Sequence, residues 1–269
     1  MRAGLELWAR DAGRELVVLD DESSAEVAAS VHGQLVELGC EPVLGPYGSD
    51  TTRAVARREG GVVWNHGAAA DDVQRLPGVV SVPTPASRYL VALARAAVGL
   101  GAARVAVLTA PGAFARLARE GLEREAAGLG VELVPDPGNA DCVLLCGPVE
   151  WEAARFRELE RRGVLFGGVS PGLPRAPRAW PEGTLAPVQW HPDLGGPAGL
   201  EDYVAAQAYA AALIAERCLA IDPDDPLAAA RSLSTATFFG PFELDETGLQ
   251  TGHRLSVMRW RGGRQELVL

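Results

Sequence analysis

The chain has 269 residues, near the upper size for one hydrophobic core, so two lobes are the expected organisation. Its formal charge is −10, and all 25 basic residues are Arg, dispersed along helix-like segments such as Arg53, Arg57 and Arg58 or Arg155, Arg157, Arg161 and Arg162. Nucleic-acid binding needs a concentrated basic face that displaces counterions, so this distribution argues against a nucleic-acid partner. Hydrophobic residues make up 48% and charged residues 22%, and no apolar run approaches the roughly 20 residues that span a bilayer, so the chain reads as globular.

In chain order, Met1–Arg10 lacks the apolar core of a secretory signal, which leaves open a cytoplasmic protein or a leader left out of this sequence. Glu15–Leu19 reads as a strand whose Asp20–Ser24 exit offers N-cap residues to a helix over Ser24–Leu38, ended by Gly39. Pro42–Leu44 reads as a strand running into Gly45-Pro-Tyr-Gly-Ser-Asp50, followed by a helix over Thr51–Arg58 and strands at Val62–Trp64 and Val79–Val82. A long helix, Ser87–Gly99, leads to a second block with the same rhythm. Strands are expected at Arg104–Leu108, Val131–Val134, Cys142–Leu145 and Val164–Phe166, with helices at Gly112–Gly128 and Glu150–Arg162. From Leu200 the pattern changes to helices at Glu201–Leu219 and Asp225–Leu233, then to strands at Phe242–Leu244 and Arg254–Trp260 around the Asp245–Gly248 turn. Strands alternating with helices of this length imply parallel sheets covered on both faces, here as two doubly wound lobes.

The four Cys and four His suggest no metal site: no C-x-x-C or H-x-x-x-H occurs. Cys142 and Cys146 lie along one predicted strand about 13 Å apart, too far for a disulfide.

Several segments then resemble the branched-chain amino-acid binding proteins of ABC transporters, which have the type I periplasmic-binding fold. These are Gly45–Asp50 after a strand, Trp64-Asn-His-Gly-Ala-Ala69 after the next, Asp141–Gly147 ahead of a helix, Ala205–Ala210, and Thr237-Phe-Phe-Gly-Pro-Phe-Glu-Leu-Asp245. The ordered set covers nearly the whole chain. The resemblance implies two Rossmann-like lobes joined by a three-crossing hinge, with lobe 1 at 1–86 and 191–250 and lobe 2 at 87–190 and 251–269. The family pattern opens with a strand and loop ahead of the helix matched by Ala3–Ala12, and this sequence begins after them. Lobe 1 is therefore expected to lack its first strand, through a start codon set downstream or a shortened chain that also lost its leader.

The same resemblance implies a monomeric, cofactor-free protein that takes a small ligand (an amino acid, an amide or a small carboxylate) between its lobes. It hands that ligand to a membrane permease from the periplasm or the outer membrane face, and open α/β sheets hold ligands at the carboxyl ends of their strands. Ser49, with Tyr47 and Asp50 beside it, would bind the ligand carboxylate at a helix N-terminus, although Ser49 or Asp50 also suits a plain N-cap. The backbone of Ala68 and Ala69 would face the ligand, with Asn65 and His66 as replacements for a hydroxyl the family usually carries near Ala69; an exposed His66 is the alternative. Phe114 matches an aromatic lining the pocket, or else packs in the core, and Gly147 and Pro148 would border the cleft. Ser170 falls where some members carry an acid for the ligand ammonium, a charge Asp50 would have to supply instead.

Two other readings compete. Gly168-Val-Ser-Pro-Gly172 fits the G-x-S-x-G elbow of serine hydrolases, but the Pro-rich stretch to Pro181 is incompatible with the helix an elbow needs. Neither G-x-G-x-x-G nor a P-loop is present, which argues against a nucleotide-dependent enzyme. A cytoplasmic amide or amino-acid sensor of the same fold fits the absent leader.

Overall fold

Helix α1 (Arg2–Ala12) starts the chain and closes on Gly13 in the left-handed region; α2 (Ala25–Glu37) is capped by Ser24, whose Oγ accepts the Val27 N–H. Helix α3 (Ser49–Ala56) leads to strand β1 (Val63–Asn65), a short α4 (Asp71–Gln74) and β2 (Val79–Ser81). The structure, a computed structural model, describes residues 1–58, 61–160, 163–174 and 180–268. After a 3₁₀ turn at Ala86–Arg88 come α5 (Tyr89–Gly99), β3 (Arg104–Thr109), α6 (Ala113–Leu129), β4 (Glu132–Leu133), β5 (Cys142–Cys146), α7 (Val149–Glu160), β6 (Leu165–Gly168) and β7 (Leu185–Val188). The chain ends through α8 (Tyr203–Ile221), α9 (Pro226–Ser232), the hairpin β8 (Thr235–Thr237) and β9 (Gly240–Phe242), then β10 (Ser256–Arg261) and β11 (Arg264–Leu267). Two compact units result: unit 1 is Met1–Pro85 with Gln189–Arg254, and unit 2 is Ala86–Val188 with Leu255–Leu269.

Unit 2 is built on one seven-stranded sheet of order β11-β10-β7-β6-β5-β3-β4, parallel from β4 to β7 and antiparallel at β10 and β11. Strand β5 is buried along its length, and its period of two explains both cores. Cys142, Leu144 and Cys146 join α5 and α6 on one face, while Val143 and Leu145 join Phe156, Trp180 and Trp260 on the other. Each such side chain contributes about 1.5–3 kcal/mol on burial. Gly121 lets α6 lie directly on the 3₁₀ turn, where a Cβ would stand 1.9 Å from the Ser87 carbonyl oxygen. Strand β7 escaped the sequence reading because Pro187 argues against an inner strand. Its ladder to β6 is the single pair Gly167↔Leu185, so Pro187 needs no amide on that side. The predicted helix tail at 161–162 and the Pro-rich residues 175–179 lie outside the described residues.

In unit 1, β1 and β2 pair in parallel and Leu44 adds one bridge to Trp64. The Glu15–Leu19 and Pro42–Leu44 strands expected from sequence therefore do not form as ladders. Val17 and Val18 are 43% and 46% exposed. A cavity of about 780 Å³ lies between the two segments, lined by Val17, Leu35, Val43 and Leu44, so neither backbone meets a partner strand there. The unit instead rests on α8, capped by the Asp202 carboxylate on the Ala205 N–H at 2.8 Å. Helix α8 is long and apolar enough to cross a membrane, which the sequence reading overlooked, but 61% of its most apolar 18-residue stretch is buried inside the protein. It packs against Trp64, Val80, Phe242 and α9. Gly4 brings α1 onto α8 so closely that a Cβ would sit 2.0 Å from the Ala205 carbonyl oxygen.

The chain passes between the units at 85–86, 188–189 and 254–255. On the unit 1 side the three passages are tied by buried polar groups. The Thr84 N–H donates to Gln189 Oε1 at 3.0 Å, Gln189 Nε2 donates back to the Thr84 carbonyl at 3.2 Å, and the Thr84 hydroxyl bonds His253 Nδ1. His253 Nε2 meets the Phe239 carbonyl at 3.0 Å.

Candidate functional site

The entry to α3 is shaped by its own side chains. The Thr51 hydroxyl turns back to the carbonyls of Tyr47 and Gly48, and Thr52 to that of Pro46. Gly48 occupies the N-cap with φ 110°, so no side chain caps this helix, and the reading of Ser49 or Asp50 as N-cap is corrected: Ser49 is the first helical residue. The first amide to find an acceptor in the helix is that of Thr52, on the Gly48 carbonyl. The amides of Ser49, Asp50 and Thr51 are left directed out of the helix end, where the backbone dipole favours an anion. Ser49 Oγ accepts the Ala70 N–H at 3.4 Å and donates to nothing among the described residues. The exposed Asp50 carboxylate pairs with Arg53, which also pairs with Asp72, so Asp50 already has a cation.

The loop after β1 folds around Asn65. Its Nδ2 donates to the Ala68 carbonyl and the Ser81 hydroxyl at 2.8 Å each, and its Oδ1 accepts the amides of Gly67 and Ala68 at 3.0 and 2.7 Å. Asn65 is fully buried with its hydrogen-bonding groups engaged within the loop, which it positions. Both backbone groups of Ala68 are likewise used, the carbonyl also by Gln74 Nε2. Ala69 differs: its N–H and C=O enter no hydrogen bond among the described residues. The ring of Tyr47 covers Gly67, where a Cβ would come within 2.4 Å.

His66 is fully buried, so the alternative of an exposed ring does not hold. Neither ring nitrogen has a hydrogen-bond partner among the described residues, and burial pushes its pKa down to about 4. It borders a cavity of about 130 Å³ with Gly45, Pro46, Asp20 and Asp21, within unit 1.

In unit 2, Phe114 stands in the first turn of α6, half-buried and edge-on to Tyr89 with 5.0 Å between centroids, at the margin of the core. Gly147 and Pro148 follow β5, and Pro148 is exposed. Ser170 is buried, 2% exposed, and donates its hydroxyl to the Gly147 carbonyl at 3.0 Å, so it offers no side chain outward. It begins a 3₁₀ turn rather than the α-helix of a nucleophile elbow, which removes the geometric basis of the hydrolase reading. Glu152, which the sequence reading missed, lies beneath both turns; an acid in the first turn of a helix gives no signal beyond the ordinary N-terminal preference.

The profile of the periplasmic binding protein family matches residues 1–141. No curated protein matches the chain. Among solved structures, an ABC transporter substrate-binding protein from Desulfitobacterium hafniense in complex with Leu has a TM-score of 0.79 at 18% identity, over 99% of this chain and 94% of its own. The leucine-binding protein LivK of Thermotoga maritima gives 0.76 at 17% identity, over 99% and 91%. A solute-binding protein from R. palustris in complex with benzoate gives 0.73 at 18%, over 99% and 89%. At these identities the likeness is one of fold.

Proposed function

The chain belongs to the periplasmic binding protein family and has the type I fold, and from that premise we propose that it is the solute-binding component of an ABC uptake system whose solute carries a carboxylate. One observation carries the reading. The uncapped N-terminus of α3 collects the amides of Ser49, Asp50 and Thr51, beside the Ser49 hydroxyl, and the Ala69 amide belongs to the neighbouring loop. Backbone N–H groups at a helix start hold an anion without a charged side chain. The solutes named with the relatives, leucine and benzoate, differ in size and in the amine, and a carboxylate is common to both.

In this reading the solute docks on unit 1 first, hinge bending at the three passages closes the protein, and a membrane permease recognises the closed form. The work is binding outside the cytoplasmic membrane, without catalysis. With the Ser49 hydroxyl donating to the solute, Ser49→Ala removes one bond to a charged group. Affinity for a bound carboxylate should fall roughly tenfold or more, corresponding to about 1.5–3 kcal/mol. Asp50→Ala should change it less than about twofold, because that carboxylate is exposed and held by Arg53. Isothermal titration of the folded variants decides; unchanged affinity in Ser49→Ala removes Ser49 from the site.

A further inference from the structure

The turns after β5 and β6 are held by one buried side chain. Glu152 Oε1 accepts the Gly147 N–H at 2.8 Å and Oε2 accepts the Ser170 N–H at 2.9 Å, while the Ser170 hydroxyl closes the ring on the Gly147 carbonyl at 3.0 Å. Glu152 is fully buried. The surroundings are fitted to it: a Cβ on Gly168 would stand 2.4 Å from Oε2, and one on Gly147 would stand 2.8 Å from both Ala110 Cβ and the Trp151 ring. Burial, against the opposing pull of the amides of Gly147 and Ser170, pushes the carboxyl up to about 8. The titratable neighbour is the Cys146 thiol, itself raised by burial and by Glu152.

A hydrophobic side chain would fill this space without the cost of a buried acid, and no cation offsets that cost among the described residues. What the carboxyl adds is geometry. Its two oxygens fix the separation of two turns at the carboxyl ends of adjacent parallel strands, the edge at which open α/β sheets hold their ligands. We propose that Glu152 is a positioning residue for solute binding, holding the 147–149 and 169–170 turns in the spacing that unit 2 presents to the solute. This rests on the solute-binding reading above.

The test compares wild type with Glu152→Ala and Glu152→Gln, using leucine and benzoate as probes in isothermal titration and amide hydrogen exchange as the local readout. In Glu152→Ala the amides of Gly147 and Ser170 should exchange at least tenfold faster, while Val143–Leu145 keep their protection. The Kd for the bound probe should rise at least tenfold. Glu152→Gln, which keeps one acceptor, should fall between the two in both measurements. An unchanged Kd with loosened amides overturns the proposal, and so does loss of protection throughout β5, which would make Glu152 a general stability residue. If wild type binds neither probe, the carboxylate reading falls and this inference with it. If binding is lost in Ser49→Ala but kept in Glu152→Ala, only this inference falls.

Discussion

Asn65→Ala should cost about 4 kcal/mol of stability in unit 1 and abolish solute binding at any temperature at which the rest of the protein stays folded. The substitution removes four hydrogen bonds at once. It leaves the buried Ala68 amide and the Ser81 hydroxyl without that partner, while the Ala68 carbonyl keeps Gln74 Nε2, and each unsatisfied buried group costs about 1–3 kcal/mol. The Ala69 amide is placed only by that fold of the loop, so the binding loss follows from the same contacts. Asn65→Asp should fare little better: it keeps the acceptor for Gly67 and Ala68 but sets an oxygen against the Ala68 carbonyl. Urea unfolding of both variants checks this, and a loss below about 1 kcal/mol would mean that the loop is held by other contacts.

Acidification should unfold unit 1 before unit 2. His66 and His253 both belong to unit 1, both are buried, and burial lowers each to about 4. A folded-state pKa below the unfolded 6.5 means that the unfolded chain takes up protons first. The stability these neutral rings contribute is therefore present above pH 6.5 and lost as pH falls towards 4, by about 3 kcal/mol for each ring. Protonation of His253 would also turn Nδ1 from an acceptor into a donor, so the Thr84 hydroxyl could no longer donate to it, while Nε2 keeps its bond to the Phe239 carbonyl. Glu152 bends the profile the other way: its raised pKa makes unit 2 lose stability as pH climbs from the ordinary carboxyl range through about 8. Single-Trp variants retaining Trp64 or Trp180 would report the two units separately by fluorescence. Simultaneous loss of both signals near pH 4, or an unchanged unit 1, would contradict the assignment.

Local chemistry was legible in the sequence wherever the cause is local. Ser24 announces its helix because a cap needs only its own first turn, and the apolar run Cys142–Leu145 announces an inner strand by itself. Glu15–Leu19 has the same strand-like composition, but a strand also needs a neighbour, and along Glu15–Val17 the neighbour is a cavity. Which way the candidate residues turn their polar groups was not legible. Ser49 and Ala69 present groups outward, whereas Asn65, Ala68 and Ser170 turn theirs into their own loops. For Asn65 a signal existed, since an Asn two residues ahead of a Gly amide commonly closes an Asx turn. Glu152 had none, because its partner Ser170 lies 18 residues on and meets it only through the neighbouring strand.

The most direct test of the central claim is a thermal-shift titration of the purified protein with leucine, isoleucine, benzoate and 4-hydroxybenzoate, each beside its amide. A solute at 100 times its Kd adds about 2.7 kcal/mol and should raise the midpoint by about 5 °C. The expected result is such a shift with at least one carboxylate, absent with its amide and reduced in Ser49→Ala. Equal shifts with acid and amide, or none with any of the acids, would contradict a carboxylate held at the start of α3.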